Sequence, residues 1–107
     1  MNVTYSDRVK QSAEGFALLQ EVTTFLEEVL GPSVGLVKAE WDQQKDTRNR
    51  TVYTLKLTDW SGSVSGSFAP EELQSPTRRR VLLYRLWGDL LQDRSHKQFD
   101  RLTGTGE

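Results

Sequence analysis

Apolar residues recur at Val9, Ala13, Phe16, Leu19, Val22, Leu26 and Val29, in steps of three and four. That spacing keeps them on one side of a helix and predicts a first helix over residues 7–30. Thr4-x-x-Asp7 supplies a capping-box-like start, with Ser6 as an alternative cap. Gly31-Pro32 stops it, because glycine takes the left-handed cap and proline cannot continue the helix. Gly15 in its interior costs about 1 kcal/mol of propensity relative to alanine. Leu18 and Phe25 widen the stripe, so the helix is expected to pack on more than one element. Glu14, Glu21 and Glu28 line its opposite side.

The period then changes from 3.6 to 2. Over residues 34–42, Val37, Ala39 and Trp41 alternate with Leu36, Lys38 and Glu40. Over 50–60, Tyr53, Leu55 and Leu57 alternate with Thr54, Lys56 and Thr58; over 63–68, Val64 and Phe68 alternate with serines. Alternation with one polar face predicts antiparallel strands covered on one side only. The charged stretch 43–49 and the turn Asp59-Trp60-Ser61-Gly62 are short enough to join the strands as a meander.

Pro70-Glu71-Glu72-Leu73 reads as one helical turn with proline at its first position and acids at its positive end. Ser75-Pro76 starts a second long helix whose core stripe is Leu82, Leu83, Leu86, Trp87, Leu90 and Leu91. The stripe fades near Arg94, so the helix either ends or bends near Ser95 or turns Phe99 and Leu102 to another surface. The expected fold is α+β in α-β-β-β-α order, a three-stranded antiparallel meander with two long helices packed on one face. Residues 1–102 are expected to form a single domain, with 103–107 a flexible tail.

Composition narrows the chemistry. The chain has 107 residues and no cysteine. It therefore lacks disulfides, thiolate metal sites and cysteine nucleophiles, and a cytoplasmic location is expected. No apolar run reaches the length of a membrane span and no signal peptide is recognisable, so no membrane partner is expected. The net charge of −1 conceals a polarity. Residues 1–30 are rich in Glu and Asp, and residues 76–102 are rich in Arg and Lys.

Motifs for enzyme chemistry are missing. His96 is the only histidine and has no metal-ligand spacing around it. No GxSxG elbow, SxxK pair or lysine-bearing phosphate loop occurs, and Gly62-Ser63-Val64-Ser65-Gly66-Ser67 reads as a twisted edge strand. Asp89, Gln92 and His96, with Arg85, share one helical stripe; this is a candidate polar row or a solvated face with an Arg85–Asp89 pair at i,i+4. No catalytic centre, metal or cofactor is expected.

Arg78, Arg79 and Arg80 stand in the first turn of a helix, where the dipole is already positive. Glu71 and Glu72, or Glu14, Glu21 and Glu28 of the first helix, are candidate partners. With Arg85, Arg94 and Lys97 these arginines are otherwise a candidate anion or nucleic-acid surface. The helix–three strands–helix order, with this basic cluster at the start of the last helix, resembles the double-stranded RNA-binding domain. Ser75-Pro76-Thr77 replaces that family's Gly-, Ser- and Lys-rich signature, and residues 43–49 lack its histidine. The leading expectation is a non-catalytic interaction module that binds protein or self-associates as a homodimer. Its candidate surface is Trp60, Val81, Phe99 and Leu102. Nucleic-acid or phosphate binding is the alternative.

Overall fold

The computed structural model describes residues 1–103, with side chains described as far as Ser95. The elements are β1 (Asn2–Tyr5), α1 (Asp7–Lys10), α2 (Ala13–Leu30), a 3-10 stretch (Gly31–Leu36), β2 (Lys38–Lys45), β3 (Thr51–Asp59), β4 (Gly62–Phe68), α3 (Pro70–Gln74) and α4 (Pro76–Thr103). The expected α+β architecture is present: a long helix, an antiparallel β2–β3–β4 meander, and a long C-terminal helix packed on the sheet.

A fourth strand extends the meander. β1 pairs in parallel with β2, from Asn2↔Lys38 to Tyr5↔Trp41, and the sheet order is β1-β2-β3-β4. Its signal is Val3 and Tyr5 alternating with Asn2 and Thr4, too short a run to separate from a helix lead-in. The free edge of β2 decides the matter, because backbone groups there need partners. The first helix is also two pieces rather than one. Ser6 caps α1 by accepting from the Val9 N–H, and Ser12 caps α2 by accepting from the Gly15 N–H at 3.2 Å. Two serine caps in succession break the helical ladder between them.

Register sorts the sheet into two faces. Row by row, Val3–Ala39–Leu57–Val64 and Tyr5–Trp41–Leu55–Gly66 point one way. Thr4–Glu40–Lys56–Ser65 and Asn2–Lys38–Thr58–Ser63 point the other. The first set meets Leu19, Val22 and Leu26 of α2 and Leu83, Leu86, Trp87 and Leu90 of α4 in one core. The second set is an open polar face, crossed by a Lys38–Glu40 ion pair at 3.3 Å. From Phe16 onward the wide stripe of α2 is packed, against the sheet, α3 and α4.

Some strand and stripe limits move. β2 starts at Lys38 rather than residue 34, because the chain after Gly31 (φ 55°) coils through a 3-10 stretch. It runs on through Gln43, Gln44 and Lys45, and the hairpin closes around Asp46. The Asp46 carboxylate accepts from the Arg48 and Arg50 N–H groups, with Asn49 left-handed at φ 60°. Ala13 and Leu91 lie outside the core. α4 continues to Thr103 without ending at Ser95. Apart from Thr103 in α4, the tail falls outside the described residues.

Thr23 is the polar hinge of the core. Its Oγ1 accepts from Trp41 Nε1 at 2.9 Å and from Tyr5 Oη at 3.1 Å, and donates to the Leu19 carbonyl at 2.7 Å. One hydroxyl thereby joins α2 to β1 and β2, and satisfies the indole of the buried Trp41.

Candidate functional site

The three adjacent arginines have three different environments. Arg79 is 8% exposed. Its Nε donates to the Leu73 carbonyl at 2.7 Å, which closes the end of α3, and its Nη1 stands 3.6 Å from Glu21 of α2. Of the carboxylates considered from sequence, Glu21 is the one that answers it. Arg78 is exposed, with its N–H capped by Ser75 Oγ at 3.4 Å. Arg80 is exposed and stacks its guanidinium 5.8 Å over the Tyr84 ring.

Arg94 is likewise turned inward. Its Nη2 and Nε donate to Asp59 Oδ2 at 2.7 and 3.1 Å, and its guanidinium lies 5.4 Å over Trp87. Asp59 Oδ1 accepts from the Ser61 hydroxyl and N–H at 2.6 and 2.8 Å. Burial would raise the Asp59 pKa, but the Ser61 and Arg94 hydrogen bonds outweigh it and hold the carboxyl below its ordinary value. Beside this knot, Gly62 has φ 149°, and a Cβ there would stand 2.5 Å from Asp93 Oδ2. The contacts from Gly66 to Leu86 and from Gly62 to Asp93 show that α4 runs antiparallel to β4.

Two of the six basic candidates, Arg79 and Arg94, are thus engaged internally, while Arg78, Arg80 and Arg85 face outward. The side chains of Lys97, His96, Phe99 and Leu102 fall outside the described residues. Among the interaction candidates, Val81 is 53% exposed and Trp60 50% exposed. Tyr84 joins Val81 on the outer side of α4, and so does Leu91, which the periodicity places in the core stripe.

The polar row is where helix meets strand. Arg85 and Asp89, together with Leu82 and Leu86, form one wall of a groove of about 170 Å³. The other wall is the run Ser65, Gly66, Ser67 and Phe68 of β4. Both side-chain parities of β4 line it, so the groove opens along the edge of the strand rather than on either sheet face. Among the described residues β4 ends the sheet order, with β3 as its only strand neighbour. Gly66 keeps the edge low: a Cβ there would lie 3.0 Å from Phe68 Cζ and 3.6 Å from Leu86 Cδ1. Gln92 is exposed one turn beyond Asp89.

The i,i+4 pair expected between Arg85 and Asp89 is not made; among the described residues neither side chain has an ion-pair or hydrogen-bond partner. The groove therefore offers an apolar floor, a backbone edge and one free charge of each sign. Among the described residues no group of His, Cys, Asp or Glu side chains could hold a metal, and no helix is long and apolar enough to cross a membrane. Sequence periodicity places Arg85 and Asp89 on one stripe, but nothing local in the sequence sets that stripe beside β4. No family model matches the chain, and no curated protein or solved structure matches it.

Proposed function

We propose that this chain is a protein-interaction module that takes up an extended polypeptide segment by adding it to the sheet along β4. The observation that carries the reading is the unpaired β4 edge flanked by a groove with Arg85 and Asp89 on its far wall. An open edge presents N–H and C=O groups at strand spacing, which another extended strand satisfies and a small molecule does not. Leu82, Leu86 and Phe68 supply apolar contact for alternate side chains, and the two charges set register. A protein partner is favoured over nucleic acid, because Arg79 and Arg94 are committed inside the fold and the groove carries a carboxylate beside its arginine.

The test is selection of displayed random peptides on the chain, followed by hydrogen exchange on the selected complexes. Enriched peptides should slow exchange of β4 amides. Failure to enrich, or protection confined to other strands, overturns the reading.

A further inference from the structure

Resting on that reading, we infer that the segment added along β4 is β4 of a second copy of this chain, related by a two-fold axis through the middle of the strand. Closed two-fold interfaces must be self-complementary: if residue i meets residue j, then j meets i. The β4–α4 edge meets that condition in charge, in size and in direction.

The charges come first. Arg85 and Asp89 sit one turn apart on the same wall and do not pair with each other. α4 runs antiparallel to β4, with Leu86 abreast of Gly66 and Asp93 abreast of Gly62. The turn between Arg85 and Asp89 therefore lies beside the middle of β4. A two-fold axis at that level brings Arg85 of each copy opposite Asp89 of the other, making two equivalent ion pairs from groups left single within one chain.

Strand composition agrees. Centred on Ser65, antiparallel pairing sets Ser63 against Ser67 of the second copy and Val64 against its Gly66. On the open face, hydroxyls meet hydroxyls. On the inner face, Val64 meets the position that a side chain could not occupy, since a Cβ at Gly66 would crowd Phe68 at 3.0 Å. The product is one continuous eight-stranded sheet, with two α4 helices side by side on the same face. Both β4 edges, each a site for unwanted pairing while open, are closed by the same contact.

Sedimentation equilibrium and light scattering of the full chain test this, together with Arg85→Glu, Asp89→Arg and the double variant. Wild type is expected at twice 12.2 kDa. Each single variant places like charges opposite one another and should weaken the dimer by about tenfold or more; the double variant should restore it. Circular dichroism of all four proteins should be unchanged, since both positions are exposed. A monomer at every concentration overturns the inference. So does a dimer indifferent to the single variants, or single-variant losses that the double variant does not repair. If the chain is monomeric and selected peptides still protect β4, the second copy alone is ruled out and the interaction reading stands. If neither peptide nor copy protects β4, both fall.

Discussion

Arg94 of α4 and Asp59 at the end of β3, 35 residues apart in sequence, form a two-pronged ion pair whose carboxylate is fully buried. The pair fastens the helix to the β3–β4 turn, and so sets the line along which α4 lies beside β4. Asp59→Asn keeps an acceptor for Ser61 but leaves the Arg94 cation without its counter-charge. A loss of about 3 kcal/mol is expected at neutral pH.

The same pair predicts a pH dependence. The folded-state pKa of Asp59 lies below its unfolded value, so between the two the unfolded chain binds the extra proton. The stability from Asp59 is thus complete above the unfolded carboxylate range, near pH 4, and is lost as pH falls through the folded value. Asp42 and Asp46 are lowered too. Asp42 is lowered chiefly by its Ser6 hydrogen bond, and Asp46 chiefly by the Arg50 N–H, so the acid slope is shared. Urea unfolding at several pH values should show the gap between wild type and Asp59→Asn narrowing in acid. A gap that stays constant with pH would remove Asp59 from the slope.

Thr23→Val should cost about 1–3 kcal/mol although the shape is conserved. The substitution leaves Trp41 Nε1 buried without an acceptor and releases Tyr5. Thr23→Ser keeps the oxygen and should cost less. Equal losses for the two variants would mean that packing, not the hydroxyl, makes Thr23 matter.

Gly15 and Tyr53 should be coupled. A Cβ at Gly15 would stand 2.5 Å from Tyr53 Oη, and the ring is held in the core. Gly15→Ala should therefore lower stability although alanine has the better helix propensity. In a Tyr53→Phe background, where the oxygen is gone, the same change should be neutral or stabilising. A double-mutant cycle by thermal unfolding measures this, and strict additivity would refute it.

The arginine triplet predicts a sharp contrast. Arg79→Ala strips a buried hydrogen bond from the Leu73 carbonyl and the contact with Glu21, for an expected loss of about 1–3 kcal/mol. Arg78→Ala and Arg80→Ala, at exposed positions, should stay within about 0.5 kcal/mol of wild type. Chemical denaturation of the three variants side by side checks this.

Periodicity in the sequence determined the helices, the meander and most of the core. A 3.6-residue or two-residue repeat states directly which side of an element is apolar. It was enough to put Leu19, Val22 and Leu26 against Ala39, Trp41, Leu55 and Leu57. It also set Arg85 and Asp89 on one stripe. Local pattern could not say what each stripe would meet. β1 is a strand because β2 offers it an edge, Arg79 turns inward because Glu21 and the end of α3 are there, and the break at Ser12 follows from competing caps. The groove beside β4 is walled by β4 and α4, and Asp59 and Arg94 pair across the fold where α4 passes the β3–β4 turn. Such contacts join residues far apart in the chain, and only the packed tertiary structure brings their energies into play.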